Sequence, residues 1–391
     1  MANTEQSGQL SEQQSELTML RESALDFTRK WTDHKRLRAM RETAPGYDKA
    51  LVGEMAGMGW NGILIPESHG GLGLGLSAMA VVLEELGRGL IADPLVTTTV
   101  LGGRALEHSG NDALKAKLLP KIADGSLQVS LAWQENAGQL GAAAPATRAV
   151  AQGGDVSLTG RKRFVAGAGG ANGFLVSAAA QPSGAVGLYW VPRDAKGLEV
   201  SYEWRADATP IGVLALNDVV VPADAVAAAP GTAEAVIERA MDEATVMSCA
   251  EMLGVMRAAL DMTVEYMRNR VQFDKPIGSF QALQHRAVDL YIQQELAAAV
   301  VAEVVAALEA GPSAAERIKL VARCKSRCNE AVLRITRDAI QLHGGIGTTD
   351  DYDIGLYLKR ALTLAAWLGS SPVQRQRFAK LEMKEWLLSA A

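Results

Sequence analysis

Aromatic residues are scarce. Seven Trp, seven Tyr and six Phe make up 5% of the 391 residues, against 38 Gly, so the core must be packed mainly from Ala, Leu, Val and Met. Cysteine is scarcer still: Cys249, Cys324 and Cys328 form an odd set, which excludes the disulfide framework of a small secreted domain and suits a reducing cytoplasm. Cys324 and Cys328 stand four apart, on one face of a helix. With no second pair of ligands nearby in sequence they read as small apolar packing residues, and no metal site is expected. Charge is also mild. Lys and Arg number 39 against 44 Asp and Glu, a net charge of −5, which excludes the basic profile of a nucleic-acid binder. No apolar run approaches the ~20 residues of a membrane span, and the polar stretch Met1–Leu10 lacks the basic start and apolar segment of an export signal. What remains, 48% hydrophobic and 21% charged residues, is the composition of a folded chain, long enough for two or three domains at ~100–200 residues each.

Proline divides the chain. Of 13 prolines, those from Pro120 to Pro230 crowd the middle, and only Pro276, Pro312 and Pro372 follow. Between Pro230 and Pro276, Ile237, Met241, Met247, Leu253, Met256 and Leu260 recur at helical spacing, so one long helix is expected. Helical texture continues over 280–308, 314–342, 352–367 and 373–388, which predicts an antiparallel helical bundle. From about Leu127 to Val221 the pattern changes to short β-rich runs, at 128–133, 173–177, 186–191 and 214–221, bounded by Gly, Pro, Asn and Asp. Such strands without intervening helices predict a small antiparallel barrel or sandwich. The first 125 residues are helical again, over 12–31, 49–58, 76–90 and 111–123. Ala142–Ala146 and Ala225–Ala229 read as loop or linker filler.

Few motifs carry chemistry. Gly70-Gly71-Leu72-Gly73-Leu74-Gly75 has the wrong spacing for a dinucleotide fingerprint and reads as a tight turn. Gln341-Leu342-His343-Gly344-Gly345-Ile346-Gly347 stops a helix on glycines, or offers bare backbone for the close approach of a pyrophosphate or adenosine. Arg270-Val271-Gln272-Phe273-Asp274-Lys275-Pro276 places an Arg able to bind phosphate ahead of a new helix beginning near Gln281. The five histidines, His34, His69, His108, His285 and His343, are scattered, with no nucleophile constellation for hydrolysis.

Together these segments resemble the acyl-CoA dehydrogenase family over nearly the whole chain. The matching pieces are Pro66-Glu67 with Gly70–Gly73, Gly160-Arg161-Lys162, Leu214 through Val219-Val220-Val221-Pro222, Arg270 to Gln281 with His285, Gln341 to Gly347, and Tyr357-Leu358-Lys359-Arg360-Ala361. The resemblance implies an α+β multidomain fold: an N-terminal helical domain (1–125), an antiparallel β-barrel middle domain (126–228) and a C-terminal four-helix bundle (229–391). It implies a dimer of dimers with FAD between barrel and bundle, its adenosine end gripped by the neighbouring subunit. Arg270, Phe273 and Gln281 then look like elements reaching to a partner's FAD, and Gln341, Gly344 and Gly345 like the adenosine-pyrophosphate cradle. The implied reaction is α,β-desaturation of an acyl-CoA, in which a carboxylate removes the α proton and the β hydrogen leaves as hydride to the flavin. Electron-transfer flavoprotein is the implied electron acceptor.

The sequence departs from the family at the base. Leu368, in Ala366-Trp367-Leu368-Gly369-Ser370-Ser371, occupies one usual position of the catalytic Glu, and Ala244 on the long helix occupies the other. Neither takes a proton. Glu243 adjoins Ala244 but is turned by ~100° around the helix, and Glu251 lies ~10 Å along the axis. Contacts to a flavin ring are thinned as well: Gln134-Glu135-Asn136 replaces Thr-Glu-Pro, Ala166 after Phe164 lacks a hydroxyl, and Thr245 stands where an Arg is common. This pattern resembles the base-deficient subunit of the heteromeric (α2β2) acyl-CoA dehydrogenases of bacterial steroid side-chain catabolism. It implies a homologous second subunit that supplies the carboxylate. Two alternatives stay open: a homotetramer with Glu243 as a relocated base, and a non-catalytic structural partner. Small residues at Thr97, Thr98, Thr99, Ser248 and Cys249, in segments expected to wall the substrate cavity, leave room for a bulky acyl group.

Overall fold

Helical periodicity at both ends and β-rich runs in the middle give helices, then strands, then helices. The computed structural model describes residues 2–39, 48–91 and 94–389. Its backbone groups into two compact units, one of residues 1–35, 75–92 and 246–391, the other of residues 36–74 and 93–245.

The first unit is helical. It holds α1 (Ala2–Trp31), α4 (Gly75–Arg88), the greater part of α7 (Ala233–Asn269), α8 (Gln281–Glu309), α9 (Ala314–His343), α10 (Ile354–Ala366) and α11 (Ser371–Ser389). The stripe Leu76, Met79, Val82, Leu83 and Leu86 of α4 is buried, as the 3.6-residue period demands. Helix α1 packs on α4: Arg21 reaches Glu84 at 3.0 Å and Glu85 at 2.5 Å, and the Thr28 hydroxyl donates to the Glu85 carbonyl at 3.1 Å. Where α4 crosses α7 the backbones nearly touch. A Cβ on Gly254 would stand 1.9 Å from the Glu84 carbonyl oxygen, and one on Gly87 would stand 2.3 Å from that of Glu251. Glycine is the one residue each helix can place there. Helices α8 and α9 run antiparallel, marked by Arg286 facing Asp338 and Arg323 facing Glu303.

Helix α8 is long and apolar enough, by length and composition, to cross a membrane, a property the run-length reading of the sequence did not register. It also carries Arg286, Asp289, Glu295 and Glu303 along its length, and buries Leu290, Ala297, Val301, Val304 and Val305, the pattern of an amphipathic bundle helix.

The second unit holds α3 (Lys49–Gly57), a π-helical segment (Leu95–Gly103), α5 (Arg104–Glu107), α6 (Asp112–Ala123) and the sheet; the short α2 (His34–Ala39) spans the boundary of the two units. Side chains start two of these helices: Asp48 accepts from Ala50 and Leu51, and Asn111 accepts from Leu114, satisfying amides that a helix leaves open. The strands are β1 (Val129–Ala132), β2 (Arg148–Gln152), β3 (Asp155–Ala166), β4 (Gly173–Ala180), β5 (Val186–Pro192), β6 (Leu198–Trp204), β7 (Pro210–Val221) and β8 (Val226–Ala228).

The main strand order is β6-β7-β3-β2-β4-β5-β8. Most pairs are antiparallel as expected, but β1 and β2 each pair in parallel with β4, and the strand path stays open. The sheet between the helical segments agrees with the expected fold class, is largely antiparallel, takes two parallel pairings at β4 and does not close. Strand β4, buried along nearly its whole length, sits at the centre of this change and accepts neighbours of both directions. The Ala225–Ala229 patch, expected as filler, instead forms β8 on the edge of β5, with Leu188 opposite Ala228.

Substituting Gly254 by Ala forces a methyl group into backbone, and a loss of about 3 kcal/mol is expected in urea denaturation. Gly53, in an exposed turn of α3 with nothing within 4 Å of a built Cβ, is expected to respond oppositely: Gly53→Ala gains about 0.5–1 kcal/mol.

Candidate active site

Residues singled out from sequence for the nucleotide gather at one end of the helical unit. Helix α7 ends at Asn269, and Arg270 opens a hairpin of β9 (Val271–Gln272) and β10 (Lys275–Pro276). Its two-residue turn is Phe273-Asp274, with φ of 54° and 64°, the left-handed pair of a type I′ turn. Phe is a strained choice for that region, and the residue is 85% exposed. The hairpin delivers the chain through a short turn at Ile277–Ser279 to Gln281, the first residue of α8. Because α8 and α9 are antiparallel, Gln281 lies at the end of the bundle where α9 finishes, with Gln341 in its last turn and Gly344 and Gly345 just beyond it.

An aromatic stack ties these segments together. Tyr266, in the last turns of α7, stacks on His343 at 4.5 Å between ring centroids, and Tyr352 closes on His343 at 4.8 Å. The Arg270 amide donates to the Tyr266 carbonyl at 2.8 Å, so Arg270 stands one turn beyond the stack and Gly344 directly follows it. Gly344 has φ of 67°, and neither it nor Gly345 has an atom within 4 Å of a built Cβ, which leaves open backbone. Arg270, Gln281 and Gln341 are exposed, and among the described residues none has a side-chain hydrogen bond or ion pair. His343 is buried, its Nδ1 lies 2.7 Å from the Ala339 carbonyl, and its Nε2 has no hydrogen-bond partner. Burial holds its imidazole below the usual pKa, so the neutral ring keeps Nε2 as an enclosed, unpaired acceptor next in sequence to the glycines.

The base positions look different. Leu368 follows α10 in the left-handed region, φ of 57°, buried, with its carbonyl accepting from the Gln374 amide at 2.6 Å. Ala244 on α7 is fully buried. Its neighbour Glu243 is held by Arg104 at 2.5 Å, His108 at 2.9 Å and Arg239 at 3.4 Å. Burial alone would raise the pKa of this carboxyl, but hydrogen bonds from His108 and Arg104 with the Arg104 charge overcome it and hold it down to about 2. Glu251 is fully buried and receives Arg360 Nε at 2.7 Å and Nη2 at 2.6 Å.

In the sheet unit, Glu135 accepts from the Thr147 amide and hydroxyl and from Lys162 Nζ at 2.6 Å. Burial pulls the Lys162 ammonium down to about 8 despite this partner. The network pins the loop between β1 and β2 and occupies the acid of Gln134-Glu135-Asn136. Phe164, at φ of 56°, sits in the register shift of β3 between Lys162 and Val165. Arg104, His108, Lys162 and Arg360 were invisible as partners from sequence. Arg104 lies 139 residues from Glu243, and no local spacing announces such a pair.

Family models match at both ends, the acyl-CoA dehydrogenase N-terminal domain over residues 14–126 and the C-terminal domain over residues 234–382. Acyl-CoA dehydrogenase IpdE2 of Mycolicibacterium smegmatis is 31% identical over 93% of this chain and 97% of its own. The chain belongs to the acyl-CoA dehydrogenase family. Among solved structures, a variant of the Tcur3481-Tcur3483 steroid ACAD is 34% identical, covers 96% of this chain and 99% of its own, and superposes with a TM-score of 0.85. The ChsE4-ChsE5 complex from Mycobacterium tuberculosis is 26% identical over 93% of this chain and 96% of its own, with a TM-score of 0.84. Acyl-CoA dehydrogenases are FAD-dependent oxidoreductases, and the open glycine backbone, the orphaned His343 Nε2 and the unengaged Arg270, Gln281 and Gln341 suit the polar groups of such a cofactor.

In this family member, the Glu243 cluster is expected to stabilise the fold. Because its pKa falls from 4.5 to about 2 on folding, its contribution is complete above about pH 4.5 and disappears as the pH falls through 2. Glu243→Gln is expected to cost roughly 3–5 kcal/mol at pH 7 and to remove that segment of the pH dependence, read by urea melts at graded pH.

Proposed function

We propose that this chain is the base-deficient subunit of an FAD-dependent acyl-CoA dehydrogenase, which desaturates a bulky, steroid-derived acyl-CoA together with a homologous second chain. The three segments 1–125, 126–228 and 229–391 serve as its N-terminal, middle and bundle domains. The observation that carries the reading is the contrast between two sets of residues. The carboxylates at or near the base positions, Glu243 and Glu251, are buried against Arg and His, whereas Arg270, Phe273, Gln281, Gln341, Gly344 and Gly345 face outward.

FAD, when bound, supplies the acceptor for the β hydrogen. This chain's residues bind and orient: Arg270 offers a charge-assisted bond to a phosphate oxygen, Gly344 and Gly345 let the pyrophosphate approach the backbone, and Gln281 and Gln341 offer amides. The second subunit contributes the carboxylate that takes the α proton. The apolar stripe Val288, Tyr291, Ile292 and Leu296, exposed on α8, and a groove of about 670 Å³ between α7 and α8 lined by Leu260, Val264, Arg268 and Tyr291 support a partner surface on this unit. The relatives named as a steroid ACAD and as a two-component complex support the same class of substrate and assembly. Electron-transfer flavoprotein would receive the electrons, in a reducing cytoplasm that suits three unpaired thiols.

A homotetramer using Glu243 is less well supported, because a base must hold a proton in the transition state and a carboxyl at about 2 holds one poorly at neutral pH. A purely structural partner would leave the outward polar set without a use.

Co-purification from the native host with flavin counting tests the reading. The expected result is about one FAD per two chains, with a second polypeptide carrying the base, and at least a ~10-fold loss of flavin affinity in Arg270→Ala. Bound FAD and acyl-CoA turnover by this chain alone would overturn it.

A further inference from the structure

Helices α7 and α9 bring together three sulfurs that the sequence holds apart. The Sγ atoms of Cys249 on α7 and of Cys324 and Cys328, one turn apart on α9, all lie within 4.8 Å of one another. Each of the three residues is fully buried and free of a disulfide. The spacing of Cys324 and Cys328 offered two ligands; the crossing of the helices supplies a third.

Beside the sulfurs lies Lys325, also fully buried, whose charge acts on all three cysteines. Its ammonium donates to the Leu364 carbonyl at 2.8 Å and to the Ser248 hydroxyl at 3.2 Å. Both partners are neutral; the Glu251 carboxylate, which also takes Arg360, acts on Lys325 through its charge. The three sulfurs thus share one enclosed pocket with a basic side chain.

We propose that Cys249, Cys324 and Cys328 form a three-thiolate site for a thiophilic divalent cation, zinc in the cell, with Lys325 as its buried counter-charge. Zinc–sulfur bonds of ~2.3 Å in tetrahedral geometry set sulfurs ~3.8 Å apart, so the cluster needs to contract by about 1 Å at most. Three thiolates around a divalent ion carry one net negative charge, which Lys325 cancels; a monovalent ion would leave an excess. The Ser248 hydroxyl, which contacts both Cys249 and Lys325, is the polar atom placed for a fourth position. Binding releases the thiol protons and changes no oxidation state. The site is closed to solvent, so the ion enters as α7 and α9 close on one another during folding. It is independent of the flavin reading.

The test is metal analysis of the full chain, with any partner that co-purifies, produced in zinc-supplemented medium and isolated without chelator. About one zinc per chain is expected, lost in Cys324→Ala while the circular dichroism spectrum is retained. Production with cadmium is expected to give an ultraviolet thiolate-to-cadmium charge-transfer band with the intensity of three thiolates. Wild-type protein with no more zinc than a variant carrying Cys249→Ala, Cys324→Ala and Cys328→Ala, and without the cadmium band, would overturn the site. If a cysteine variant does not fold, the zinc content and cadmium band of the wild type decide the matter alone.

Discussion

A carboxylate taken out of water must be met by a cation, and this constraint organises the interior of both units. Glu84 is held by Arg21 and Arg257, Glu85 by Arg21 and Arg88, Glu135 by Lys162, Glu243 by Arg104 and His108, and Glu251 by Arg360. Losing one partner strands the other in low dielectric, which costs more than the intact pair contributes. These pairs therefore fix geometry more than they add net stability. At Glu135 and Glu243 the hydrogen bonds and cations also hold the carboxyl below its usual pKa, which leaves it little tendency to take up a proton.

The residues proposed to meet the nucleotide obey the opposite rule. Their polar atoms are kept at the surface at one end of the bundle, and their backbone is shaped before any ligand arrives. The Tyr266–His343–Tyr352 stack couples the ends of α7 and α9, and the left-handed turn at Phe273-Asp274 fixes the hairpin that precedes α8. Rigid placement of exposed groups lowers the ordering cost of binding.

Much of this was legible in the sequence, for reasons that differ by element. Long helices announce themselves by repeated apolar spacing, and α8, α9, α10 and α11 begin and end within a few residues of the periodic runs. The runs at 128–133, 173–177, 186–191 and 214–221 fall on β1, β4, β5 and β7, but β2, β3 and β6 lie outside them, because half-exposed strands carry little apolar signal. Parallel pairing to β4 could not be read at all, since register between distant strands is set by the assembled sheet. At the candidate site, the glycine run after Gln341 and the Arg270 segment were visible as local motifs. The clamp on Glu243 was not, because Arg104 and His108 meet it only through tertiary packing. The third sulfur near Cys324 was hidden for the same reason.

The glycine contact between α4 and α7 has a consequence for how this chain can change over time. Gly87 and Gly254 flank the backbone carbonyls of Glu251 and Glu84, the same two residues whose side chains depend on Arg360, Arg21 and Arg257. A larger residue at either glycine would push the helices apart and draw those carboxylates away from their cations in one movement. Steric and electrostatic failure are thus linked at a single crossing, so sequence drift there has no gradual path: compensation would need several simultaneous replacements across α1, α4, α7 and α10.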